Sequence, residues 1–155
     1  MTAPTVVIAI GNPSRGDDAL GPLLAARLAD WLQSAGRDDV EVIEDFQLQI
    51  EHALDLQGRQ QAIFVDAGTG STPAPFSFTP VAATADFGHT THAISPGAVL
   101  HVYRQTLHDD PPPAWVMCIR GESFELGETL SEPARLRLED ALIALQERLA
   151  VIGQE

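Results

Sequence analysis

The sequence predicts an α/β fold: a single three-layer domain over residues 1–155, with a mostly parallel, twisted sheet of about five strands and helices on both faces. Three observations predict it. Short runs of consecutive apolar and β-branched residues recur along the chain, as strands buried on both faces require. Segments with apolar residues at helical spacing lie between them. The chain has 155 residues, 45% of them apolar, with no internal repeat and no long linker, which suits one globular domain.

The elements follow in order. Thr5 to Ile10 (TVVIAI) reads as a buried strand. Ala19 to Ala35 carries a helical stripe of Leu20, Leu23, Leu24, Leu28, Trp31 and Leu32, and Gly36 stops it. Val40 to Ile43 is a second short strand, Glu51 to Leu56 a short helix, and Ala62 to Val65 a third strand. Residues 67 to 75 are rich in Gly, Ser, Thr and Pro and read as a loop. Phe76 to Val81 alternates and reads as an edge strand, because Pro80 has no N–H to give to a ladder. Ser95-Pro96 starts a helix running to about Leu107, with Ser as cap and Pro in the first turn. Pro111 to Pro113 break the chain, and Trp115 to Ile119 is another buried strand that holds Cys118 as a core residue. Ser131 opens the last helix, whose apolar face is Leu138, Ala141, Leu142, Leu145, Leu149 and Ile152.

Charge and composition exclude several functions. The net charge is -13, and all nine basic residues are Arg. A phosphate backbone would repel such a chain, which argues against nucleic-acid binding. An acidic surface suits a cation or a basic partner, and also simply keeps a protein dissolved. No stretch approaches the roughly 18 apolar residues of a membrane span. The N-terminus lacks the basic and apolar regions of a signal peptide. One cysteine rules out an internal disulfide and fits a reducing compartment, so a cytoplasmic location is expected.

In parallel sheets, ligands bind beyond the carboxyl ends of the strands, so chemistry is sought there. The first strand runs into Gly11-Asn12-Pro13-Ser14-Arg15-Gly16-Asp17-Asp18-Ala19-Leu20-Gly21. The G-x-G-x-x-G spacing of dinucleotide sites is absent, as is the Lys of a phosphate-binding loop. Two adjacent carboxylates stand there instead. They fit two readings: helix caps favoured by the helix dipole, with one of the pair expected to cap, or ligands for a cation. Asp66 finishes the third strand and should emerge at the same edge; it too has two readings, a bond to loop amides or a partner for Asp18. Gly88-His89-Thr90-Thr91-His92 precedes the next helix. His89 reads as a solvated loop residue, and His92 lies nearer the sheet edge. Two carboxylates and an imidazole would suit Zn or Ni and leave coordination positions open. Gly121-Glu122-Ser123-Phe124 lacks the second glycine of a nucleophile elbow, and there is no H-E-x-x-H or C-x-x-C.

The G-N-P-x-x-G-D-D-x-x-G segment from Gly11 to Gly21, the V-D-A at Asp66 and the T-T-H at Thr90 to His92 resemble the hydrogenase maturation proteases in order and spacing over nearly the whole chain. The resemblance implies a compact α/β endopeptidase that removes the C-terminal extension of the nickel-loaded [NiFe]-hydrogenase large-subunit precursor. It implies metal contact by Asp18, Asp66 and His92, with Asp17 beside them as a further catalytic candidate. The nickel would come with the substrate, and no organic cofactor is expected. Where many members have D-G-G-T, this chain has Glu44-Asp45-Phe46-Gln47-Leu48-Gln49, so the carboxylate of that motif maps to Glu44 or Asp45. Residues 47–56 and 120–124 resemble the branch serving NAD-reducing, bidirectional hydrogenases. The loop from Gly68 to Pro75 and the one around His89 are candidates for gripping the precursor's tail. Alternative readings are a hydrolase with its own zinc, a nickel-handling accessory protein without peptidase activity, and a nucleotide-binding module.

Overall fold

The computed structural model describes residues 2–85 and 94–152. Its sheet has five strands in the order β2-β1-β3-β5-β4. They are β1 (Thr5–Ile10), β2 (Val40–Asp45), β3 (Gln61–Gly68), β4 (Phe76–Pro80) and β5 (Ala114–Arg120). β2, β1, β3 and β5 are parallel, and β4 pairs antiparallel with β5 at the edge. Pro80 stands at the end of that edge strand, where a missing N–H costs least.

Among the described residues three helices and two 3₁₀ segments accompany the strands: Gly16–Ala19, α1 (Leu20–Ser34), Ile50–Leu56, α2 (Pro96–Leu107) and, after β5, α3 (Glu132–Ile152). Alternation along β1 divides the core. Val7 and Ala9 face α1 and α3, meeting Leu24, Leu28, Leu138, Leu142 and Leu145. Val6 and Ile8 face the other side, meeting Leu56, Val99 and Tyr103. Each fully buried Leu or Ile contributes about 2 kcal/mol by leaving water. None of the described helices is long and apolar enough to cross a membrane.

The expected elements are present, with informative shifts. Ser95 caps α2, accepting from Ala98 N at 3.1 Å. Leu23, placed in the apolar stripe, is 39% exposed. β3 continues past Val65 to Gly68, because Asp66, Ala67 and Gly68 keep pairing with Cys118, Ile119 and Arg120. Asp66 thus lies within a strand and takes its direction from its pairing with Cys118 on β5. The chain passes from β1 to β2 on one side, then crosses back to β3 on the other. In parallel sheets such a reversal is where a ligand crevice forms, here at the carboxyl ends of β1 and β3.

Candidate functional site

The turn after β1 brings a carboxylate into this crevice. Gly11 has φ +150°, and a side chain on it would meet the Asp18 carbonyl oxygen at 2.0 Å. The turn therefore closes tightly enough for Asn12 N to donate to Asp18 Oδ2 at 2.7 Å. Asp17 and Asp18 sit in the 3₁₀ turn, and α1 begins after Ala19 without a side-chain cap. The expectation that one of them caps the helix is therefore corrected: Asp18 binds the loop behind it.

Asp17 turns the other way. It is fully buried and accepts from Glu122 N at 2.6 Å, Ser123 N at 3.2 Å, Ser131 N at 2.7 Å and Ser131 Oγ at 2.7 Å. Burial pushes its carboxyl up, but the donors of Ser131, Glu122 and Ser123 outweigh it and hold the group below the usual carboxylate value. Expected beside the reacting groups, Asp17 is instead a clamp between the first loop and the start of α3.

Asp66 is partly buried on β3, and its Oδ1 accepts from Ala67 N at 2.8 Å. Burial raises its carboxyl to about 7; the Ala67 N–H opposes this, and the charge of Asp18 adds to it. So Asp18 and Asp66 lie close enough to repel. Among the described residues each has one oxygen held by a backbone N–H and no donor on the other. A cation between such a pair relieves the repulsion. Among the described residues no group of three or more His, Cys, Asp and Glu side chains is arranged to hold a metal. His92, the expected third ligand, and His89 lie outside the described residues.

Cys118, expected in the core, is only half-buried, because it pairs with Asp66 near the sheet edge. Burial pushes its thiol up, Thr72 Oγ1 at 3.6 Å opposes, and Asp66 adds to the rise, so it stays a thiol at neutral pH. At the end of β2, Asp45 Oδ2 lies 3.3 Å from His52 Nε2, and its Oδ1 accepts from Phe46 N at 2.8 Å. Gln49 N donates to His52 Nδ1 at 2.9 Å. Asp45 is thereby committed to holding the segment after β2, while Glu44 is exposed. Sequence reasoning missed His52; the Gln49–His52 spacing of a capping box was its only signal. Phe46, Ile50 and Leu54 on that segment are 68%, 52% and 58% exposed, an apolar rim beside the edge.

No protein-family model matches the chain, and no curated protein does. Solved structures do match. The hydrogenase maturating endopeptidase HybD from E. coli superposes with a TM-score of 0.73 at 22% identity, covering 96% of this chain and 93% of that one. The [NiFe] hydrogenase maturation protease HycI from Thermococcus kodakarensis KOD1 gives 0.70 at 22% identity, covering 94% and 91%. A hydrogenase 2 maturation peptidase from a Thaumarchaeota archaeon gives 0.64 at 22% identity, covering 94% and 97%. These structural neighbours are hydrogenase maturation proteases, and the chain has their fold.

Proposed function

We propose that this chain is a hydrogenase maturation endopeptidase, which removes the C-terminal extension of a nickel-loaded [NiFe]-hydrogenase large-subunit precursor. The observation that carries this is the pair Asp18 and Asp66, close enough for the charge of Asp18 to raise Asp66 and each with one oxygen unengaged among the described residues, at the switch point of the sheet. The motifs around both residues resemble that family's, and the fold of the neighbours supports the same reading.

In this reading the substrate's nickel is met by Asp18, Asp66 and His92. A pair of carboxylates that repel each other gains from a cation between them, so a loaded precursor docks more strongly than an empty one. Docking raises the effective concentration of the scissile bond at the site. A carboxylate oxygen of this pair that the metal does not engage is suited to take a proton from the attacking water and return it to the leaving amine. Asp17 acts as a positioning residue, through the backbone that carries Asp18. The apolar rim of Phe46, Ile50 and Leu54 suits a protein partner better than a small solute. We place the activity in the cytoplasm; which hydrogenase type is served, including the NAD-reducing branch, follows from which precursor is cut.

The test is incubation with a large-subunit precursor, once nickel-loaded and once nickel-free, read by mass spectrometry. A single C-terminal cut confined to the loaded sample is expected. Cutting of both would discard nickel as the gauge, and no cut of a competent precursor would leave a nickel-handling accessory role. Asp18→Ala, Asp66→Ala and His92→Ala are each expected to lower the cleavage rate by about 100-fold or more. Full activity in any of them removes that residue from the mechanism.

A further inference from the structure

We propose that Arg120 is a substrate-positioning residue, whose guanidinium binds a main-chain carbonyl oxygen of the peptide lying across the Asp18–Asp66 crevice. This rests on the peptidase reading above.

The argument begins with the fate of the nine arginines. In so acidic a chain an arginine finds a carboxylate easily, and Arg27, Arg37, Arg59, Arg104, Arg135 and Arg137 each do. Arg148 lies over the rings of Phe78 and Trp115, at 4.8 and 4.3 Å from their centroids. Arg15 and Arg120 remain, and both stand at the carboxyl edge of the sheet. Arg15 is exposed, so water satisfies it. Arg120 is partly buried, and among the described residues its Nε, like that of Arg148 under its two rings, is buried without an acceptor. A buried donor of a cation left unmatched is costly unless something supplies an oxygen.

Its position says what does. Asp66 pairs with Cys118, and Arg120 follows two residues later on β5, on the same face and roughly 7 Å further towards the open edge. Its direct partner on β3 is Gly68. The place of a Gly68 side chain is taken by Thr72 Oγ1 and Cys118 Sγ, so a hydroxyl and a thiol, and no carboxylate, stand at the position paired with Arg120. Among the described residues Arg120 makes no ion pair. The ligand chemistry follows from charge. Beside Asp18 and Asp66, on a chain of net charge -13, another carboxylate would be repelled, whereas a neutral carbonyl oxygen is not. A peptide entering the crevice presents such oxygens at every residue, and a guanidinium can grip one with more than one N–H.

The experiment is steady-state cleavage of the nickel-loaded precursor by the wild type, Arg120→Met, Arg120→Lys and Arg135→Met. Arg135→Met controls for lost positive charge, and thermal unfolding of each variant checks the fold. Arg120→Met is expected to raise KM about 10- to 100-fold while kcat changes by less than about threefold, with Arg120→Lys in between. An unchanged KM in folded Arg120→Met overturns the proposal, as does a collapse of kcat at unchanged KM, or an equal rise of KM in Arg135→Met. If the wild type binds the precursor without cutting it, the peptidase reading falls and the ratio of Kd values judges Arg120 instead. If the wild type neither binds nor cuts, both readings fall. Should Arg120→Met not fold, Arg120→Lys carries the test, and wild-type affinity in it overturns the proposal.

Discussion

Asp17 and Asp66 are both removed from water, and their surroundings drive them in opposite directions. Asp17 has four donors, which outweigh its burial and lower its pKa below the ordinary 3.8. Its ionised form therefore stabilises the fold at every pH above the unfolded value, and that contribution is lost as pH falls through the folded one. Asp17→Asn is expected to destabilise the protein by about 3 kcal/mol at pH 7 in urea unfolding, since its amide would face donors with donors, and by less in strong acid. Asp66 has one donor, and burial with the Asp18 charge raises it from 3.8 to about 7. The folded state then holds a proton that the unfolded chain releases, so stability falls as pH rises from about 4 through about 7. Asp66→Asn is expected to stabilise the free protein by about 2 kcal/mol or more at pH 8 and little at pH 4, as thermal melts at the two pH values would record. Equal melting differences at both would remove Asp66 as the source. None of this divergence was legible in the sequence. Asp17 and Asp18 are neighbours of one type, and what separates them is contact with residues 122, 123 and 131, more than a hundred positions away.

At the scale of elements, one close approach fixes how the first helix meets the sheet. A side chain at Gly21 would lie 2.2 Å from the Ile10 carbonyl oxygen, so α1 can lean against the end of β1 only while that position is glycine. Gly21→Ala is expected to cost about 2–3 kcal/mol despite alanine's better helix propensity, measurable by urea unfolding. A neutral or stabilising result would mean that α1 can draw back at no cost. Element identities were legible because apolar runs and helical stripes are local signals: TVVIAI, the Ser95-Pro96 start and the Leu138–Leu149 face all appear where their patterns lie. Element ends were less so. β3 passes on beyond Asp66 through Ala67 and Gly68, a small-residue stretch that reads as loop, because pairing with β5 overrides local preference. The same extension is what places Arg120 opposite Gly68.

For the whole molecule, a net charge of -13 on 155 residues means self-repulsion that six arginine ion pairs offset only locally. Added salt screens such repulsion, so the melting temperature should rise by several degrees between about 0.01 and 0.5 M NaCl; a fall would show that the ion pairs matter more than the excess of acid. The location of the candidate site was legible at this scale, since strand and helix alternation implies a parallel sheet and hence a crevice at its carboxyl edge. The clamp at Asp17 carries a further consequence, for the order of events during synthesis. Ser131 N–H and O–H meet a carboxylate 114 residues earlier in the chain. A ribosome that has released β1 and the turn after it has therefore released a loop whose acid still lacks all four of its donors. Until the last helix begins to emerge, Asp17 has reason to stay hydrated and the Asp18 turn to stay loose. The nascent chain thus sets the Asp18 turn at its candidate edge only once Ser131 has emerged.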